Sequence, residues 1–297
     1  MDINNPMYSD VLEAWLAEHR MRIMESTAYN YERAIIPIKE HFDGVRIKEV
    51  SAGMIFEYIT QLKHEISPTS TRLYCKVMQM SLNYAIKYGY IYYNPTNDVT
   101  LPKKARAEIK PFEESEIPLL MAADGPEWVK HGITIAFRTG MRPGEIYGLK
   151  WSDIFFEQQF ISVQRAISRA KSRNMLKETK TEAGVRRIDI DSKLIEYLHK
   201  MRKDTEGDFV FSDARGGYKV PWNISKHLKR MCKEIGIEPR NFYSLRHTHA
   251  TVLLAHGVHP KIVQERLGHS DIRITMEIYS HVSPTMQREA VSIFEEI

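Results

Sequence analysis

The chain changes its pattern near residue 105, and that break constrains its architecture more than any other feature. Before it, apolar residues recur at spacings of three and four, the signature of helices with one buried face. Val11, Leu12, Trp15 and Leu16 share one side of a helix over 8–19. Ser26-Thr27 is a cap signal for a second helix running to about Phe42, and Ser51 caps a third over 52–63. Pro68 and Thr69 open a fourth, striped by Leu73, Val77, Met80, Tyr84 and Tyr88. Gly89 ends it, and Asn94-Pro95 keeps it from resuming. Residues 1–104 therefore read as an N-terminal all-α helical bundle.

A basic junction follows, with the linker at 105–112. Lys103, Lys104 and Arg106 either lie along a phosphate backbone or belong to a plain tether. Beyond it the pattern is mixed. Helical windows fall at 114–123, 127–138, 143–149, 192–203, 221–235, 244–255 and 260–267. Residues 160–167 and 187–190 alternate like strands, with a long basic loop or hairpin tip between them. The expected fold is mainly α with a small antiparallel β-sheet, the sheet belonging to an α+β domain over 113–297.

Composition narrows the class. A length of 297 residues fits about two domains, and a hydrophobic content of 43% supplies real cores. No apolar run approaches the ~20 residues that span a bilayer. The first residues lack the basic and apolar regions of a signal peptide. Cys75 and Cys232 lie far apart and read as buried thiols in a reducing cytosol, so a cytoplasmic location is expected. Acids and bases balance over 1–104, so the formal net charge of +4 arises beyond it. Arg165, Arg169, Lys171, Arg173, Lys177, Lys180, Arg186 and Arg187 crowd 160–187 against only Glu178 and Glu182. Lys219, Lys226, Lys229, Arg230 and Lys233 fill 219–233 with no acid. Such patches suit a nucleic-acid phosphate footprint, or they are solvated faces.

Four boxes carry the chemistry: Thr139-Gly140-Met141-Arg142-Pro143-Gly144-Glu145, Leu245-Arg246-His247-Thr248, Leu267-Gly268-His269 and Ile278-Tyr279-Ser280-His281-Val282. Arginine forks bind phosphate bidentately, and a tyrosine hydroxyl serves as a covalent nucleophile. Together they suggest phosphoryl transfer on a nucleic-acid backbone through a phosphotyrosine, with no cofactor. His247, His249, His256 and His259 lack any metal-binding spacing, so no metal is expected.

The order of these boxes, with 23 residues from Arg246 to His269 and ten more to Tyr279, resembles the tyrosine recombinase (phage integrase) family over nearly the whole chain. The resemblance implies a core-site DNA-binding domain at 1–104 and a catalytic domain at 113–297. Tyr279 would attack the scissile phosphate, leaving a 3′-phosphotyrosine and a free 5′-hydroxyl. Arg142 and Arg246 would clamp the non-bridging oxygens. Lys180 matches the family's hairpin lysine, a general acid for the leaving oxygen, with Lys177 its nearest rival. His269 would donate to a phosphate oxygen or carry a proton near Tyr279. Glu145, three residues after Arg142, either orients it or makes a plain surface pair. Tyr243 stands where the family usually has histidine; it donates a hydrogen bond but shuttles protons poorly near neutral pH. Candidate DNA contacts are Lys103, Lys104, Arg106, Arg165, Arg169, Lys171, Arg173, Lys177, Lys226, Lys229 and Arg230.

The implied function is site-specific integration or excision of a mobile element. A chromosome-dimer-resolving recombinase, a type IB topoisomerase-like nicking enzyme and a catalytically weakened DNA-binding regulator are the alternatives. The implied partners are a double-stranded DNA recombination site and a homotetramer on DNA, with an accessory directionality factor or host DNA-bending protein, and no membrane. The first helix begins near Tyr8, so the arm-site domain of longer integrases is expected to be absent. After Tyr279, Ser283-Pro284 opens a helix striped by Met286, Ala290, Ile293, Phe294 and Ile297. That helix either docks on its own domain or, as the resemblance implies, is exchanged between protomers.

Overall fold

In a computed structural model of the chain, residues 4–100, 109–170, 173–178, 185–213, 215–221 and 223–282 are described. The chain divides into two compact units, the first Met1–Ala107 with Arg169–Arg173 and the second Glu108–Ser168 with Asn174–Ile297.

The first unit holds four helices: α1 (Tyr8–Arg20), α2 (Glu25–His41), α3 (Ala52–Glu65) and α4 (Pro68–Lys87). The Ser51 hydroxyl accepts from the Met54 amide, and that of Ser67 from Ser70, so both of the last two helices start on side-chain caps. The start of α2 differs from the sequence expectation. Met24 is its capping residue, with no side-chain bond, and Ser26-Thr27 falls inside the first turn. This helix also continues through Pro37, which costs about 3 kcal/mol in a helix interior. Burial of Ala34, Ile35 and Ile38 around the proline offsets that cost. Tyr8, Leu12, Ile38, Phe42, Ile59, Met78 and Leu82 pack into one core, where the Tyr8 hydroxyl bonds with Ser81 at 3.0 Å.

The second unit is mainly helical around a small sheet. Its elements are α5 (Glu116–Ala122), α6 (Glu127–Thr139), α7 (Pro143–Tyr147), β1 (Ile154–Phe155), β2 (Phe160–Val163), β3 (Arg165–Ala170), β4 (Arg173–Glu178), β5 (Arg186–Asp189), α8 (Ser192–Lys203), α9 (Ile224–Glu234), α10 (Tyr243–Ala255), α11 (Pro260–Leu267) and α12 (Ile272–Val282). Strands β1, β2 and β5 form an antiparallel sheet in that order, with Ile161 opposite Ile188 and Val163 opposite Arg186. Strands β3 and β4 form a separate pair. The expected single strand over 160–167 is thus two, interrupted at Gln164. Of the two expectations for the basic stretch, loop or hairpin tip, the described residues agree with the hairpin, as β3 paired with β4. Helix α9 starts at Ile224 rather than 221 because Asn223 adopts left-handed backbone, φ 59°. Helix α12 is an element that sequence patterning did not isolate.

Ile133, Ile135, Ile146, Ile161, Val163, Ile188, Leu194, Leu198, Leu228 and Leu245 belong to the main core of this unit. A smaller cluster of Ala250, Leu254, Val263, Leu267 and Ile278 joins α10, α11 and α12. These three helices carry three of the four boxes, so apolar packing alone brings boxes distant in sequence together. The expected tail helix after Ser283 and most of the linker lie outside the described residues.

Candidate active site

The site is built at two helix ends. Helix α6 stops at Gly140, whose left-handed backbone (φ 68°) returns its amide to Ala136. A side chain there would sit 2.5 Å from Leu267 Cδ2 and 2.7 Å from His249 Cδ2, so only glycine lets α10 and α11 come this close. Two residues on, Arg142 caps α7, with Pro143 in the first turn. The Glu145 carboxylate reaches back to the Arg142 amide at 2.9 Å and holds the Arg142 guanidinium at 2.8 Å. Gly144 is needed because a Cβ would lie 2.5 Å from the Ile167 carbonyl oxygen of β3.

Helix α11 ends at Gly268, again in left-handed backbone. The last turn of a helix leaves carbonyls without intrahelical partners, and its dipole favours cations. Here three consecutive carbonyls each accept from a different arginine. Arg186 Nε donates to the Arg266 oxygen at 2.9 Å. The Arg246 guanidinium donates to the Leu267 oxygen at 2.7 Å. That of Arg142 donates to the Gly268 oxygen at 3.1 Å. Arg246 also donates to the Gly140 oxygen at 2.7 Å, so it bridges the ends of α6 and α11. Both clamp candidates thus gather on one turn, and His269 follows immediately.

Glu145 is buried and accepts a fork from Arg186, at 3.0 and 2.7 Å. It is therefore no surface pair. Burial alone would raise its carboxyl, but Arg186 and then Arg142 outweigh that and hold it below the usual carboxylate range. Two guanidiniums bond to this carboxylate and that of Arg246 lies near enough to feel its charge, leaving two positive charges in excess. Burial first, then the neighbouring Arg142 and Arg186, pushes Arg246 down to about 9, so it stays cationic at neutral pH. Burial, and then Arg246, Arg142 and Arg186, push His269 down to about 4, so its ring is neutral at pH 7. Its Nδ1 lies 3.0 Å from the hydroxyl of buried Thr275 on α12. Tyr279 sits about one turn further along α12.

A second brace stands behind the first. Arg266 donates to His249 Nε2 (3.0 Å), the Asp189 carbonyl (2.8 Å) and the Arg138 carbonyl (3.1 Å). His249 Nε2 must accept, so Nδ1 carries the proton and donates to the Phe137 carbonyl at 2.7 Å. Burial, and then Arg266, pushes His249 down to about 4.

The remaining candidates are scattered. Tyr243 opens α10, three residues before Arg246, and is half exposed. Lys177 is half-buried in β4. Arg165 pairs with buried Asp153. Lys226, Lys229 and Arg230 are exposed along α9, where with Lys233 they line a shallow cleft. Lys103, Lys104, Arg106, Lys171 and Lys180 lie outside the described residues, and only the strand positions of Arg169 and Arg173 are described. Sequence reasoning missed the site contacts of Arg186, Arg266, His249 and Thr275. Only Arg186 left a signal: alternation along β5 puts it on the same face as buried Ile188.

Comparison with known proteins gives consistent matches. The model of the phage integrase family matches residues 110–286, and that of a phage integrase N-terminal SAM-like domain matches 7–63. A tyrosine recombinase XerC-like protein of Caldanaerobacter subterraneus is 30% identical over all of this chain and 85% of its own. The integrase of Staphylococcus phage L54a is 23% identical over 97% of this chain and 92% of its own. Among solved structures, the Tn1549 transposon integrase in complex with a circular-intermediate DNA superposes with a TM-score of 0.84 at 20% identity, covering 97% of this chain and 99% of that one.

Proposed function

The chain belongs to the phage integrase family of tyrosine recombinases, DNA breaking-rejoining enzymes, and on that premise we propose that it integrates or excises a mobile element through a 3′-phosphotyrosyl link on Tyr279. The observation that carries the reading is the α11 turn. It holds Arg142 and Arg246 side by side, next to a neutral His269, on the path into the helix that bears Tyr279.

In the proposed step the tyrosine oxygen bonds to phosphorus as the bond to the 5′-oxygen breaks. The tyrosine proton passes to neutral His269 or to water, and Lys180 gives a proton to the leaving oxygen. The phosphodiester brings one negative charge, and the pentacoordinate transition state carries close to two. Two excess positive charges on fixed guanidiniums match that state better than the ground state, which is what accelerates a reaction. The phosphotyrosyl ester keeps the energy of the broken bond, so rejoining is the same step in reverse.

The substrate is a double-stranded DNA recombination site. Lys226, Lys229 and Arg230 on α9 supply phosphate contacts. The working assembly is a homotetramer on two duplexes in a prokaryotic cytoplasm, with an accessory directionality or DNA-bending protein. Integration is favoured by the phage relative, which aligns over nearly its full length. The XerC-like relative supports chromosome-dimer resolution as the second reading. Sequencing DNA trapped on the protein in its host separates them, since one predicts attachment sites and the other a single chromosomal locus.

The chemistry is tested with Tyr279→Phe. It is expected to bind DNA nearly as well as the parent protein and to form no denaturation-resistant adduct. An adduct on the Phe variant would place the nucleophile elsewhere.

A further inference from the structure

We propose that Arg186 is a positioning residue for the phosphate clamp, acting on Arg142 through Glu145 and anchored to the turn of α11 that holds both clamp arginines. The proposal rests on the recombinase reading above. Arg186 and Glu145 are nearly sealed from solvent, with side-chain exposures of 6% and 3%. A buried ion pair contributes little to stability compared with apolar residues of the same shape. This one also sets a third guanidinium beside two others, and that proximity helps depress Arg246. Stability alone gives poor grounds for it.

Geometry gives better ones. Each Glu145 oxygen accepts from both arginines. Oε1 takes one guanidinium nitrogen of Arg142 at 2.8 Å and one of Arg186 at 3.0 Å. Oε2 takes the Arg142 amide at 2.9 Å and the other Arg186 nitrogen at 2.7 Å. The fork from Arg186 therefore fixes the carboxylate plane and leaves Arg142 a single side-chain bond to it. Without that fork, the carboxylate turns and Arg142 closes onto both oxygens, since a two-bond pair is its strongest local alternative. Donors needed for the phosphate are then withdrawn while their charge remains nearby. DNA binding survives and the chemical step suffers. Arg186 Nε, on the Arg266 carbonyl, ties the same adjustment to the turn that holds Arg246.

The test measures single-turnover cleavage by Arg186→Met, Arg186→Lys, Glu145→Gln and the Met/Gln double variant, with DNA affinity and thermal melting as controls. Two substrates are used, one normal and one with a methylphosphonate at the scissile position, which lacks the charge that the clamp serves. Arg186→Met is expected to cleave about a hundredfold more slowly at unchanged DNA affinity, the size of a small misplacement of a reacting group. Arg186→Lys should recover part of the rate. In the Glu145→Gln background the Met substitution should cost less than about threefold, because the two residues act in series. On the methylphosphonate the deficit should shrink by about tenfold or more. An equal deficit on both substrates, or additive losses in the double variant, overturns the proposal. If Arg186→Met does not fold, Arg186→Lys alone decides by the same comparison of substrates. Failure of the parent protein to cleave either substrate instead overturns the recombinase reading.

Discussion

A guanidinium has five N–H donors, and among the described contacts Arg142 and Arg246 each give two of theirs to the protein. The bonds already made fix each plane, so in the proposed step a phosphate would meet donors whose direction is set in advance. Tyr243 is placed differently. It lies one turn before Arg246 on α10 and is half exposed, on the same end of the helix as the clamp. On the proposed reading, a hydroxyl there would donate to a phosphate oxygen as an imidazole would. Tyr243→His is therefore expected to keep or raise the cleavage rate at neutral pH, and Tyr243→Phe to lower it about tenfold or more, the worth of one bond to a charged group. A His variant that folds normally but loses cleavage, while Phe retains it, would remove Tyr243 from the site.

Most helices of the second unit, α12 excepted, were legible because their boundaries are set locally. Pro143, Pro260 and Gly268 punctuate the chain by their own backbone preferences, and α8 and α11 run over the residues that the pattern predicts. Strand β4 was not legible. Arg173-Asn174-Met175-Leu176-Lys177-Glu178 has no alternation; it pairs with β3, and Leu176 Cδ1 lies 3.1 Å from where a Cβ on Gly148 would be, a proximity between residues distant in sequence. The site divides in the same way. Boxes mark Arg142, Arg246 and His269, but their meeting place is three backbone carbonyls, which no side-chain pattern encodes. Gly140 is where element packing is most exposed to test. Gly140→Ala imposes left-handed backbone on a β-carbon and drives it into the His249 ring, which bonds at both nitrogens cannot let move. A loss of about 2–4 kcal/mol is expected, read as a fall of several degrees in Tm, with cleavage reduced further. An unchanged Tm would show that α6, α10 and α11 are looser than this packing requires.

For the molecule as a whole, the braced histidine sets a pH limit. His249 is neutral in the folded protein down to about 4, whereas in the unfolded chain it takes up a proton below about 6.5. Its contribution to stability is complete above about 6.5, is lost as the pH falls towards 4, and changes no further below that. The slope from this one group reaches at most about 1.4 kcal/mol per pH unit. Denaturant midpoints measured from pH 7 to 4 should fall steeply in the parent protein and less steeply in His249→Gln. Parallel curves would assign the acid sensitivity to other groups. The end of α11 has a consequence of another kind. Its three acceptors are main-chain oxygens, which every amino acid carries. A codon change at Arg266 or Leu267 alters a side chain and leaves the acceptor in place. A single inserted or deleted codon inside the helix turns everything beyond it by about 100° and displaces all three acceptors together. For these three acceptors it is the count of residues to Gly268 that matters, while the side chains of Arg266 and Leu267 are held separately, by the brace to His249 and by the core of α10, α11 and α12.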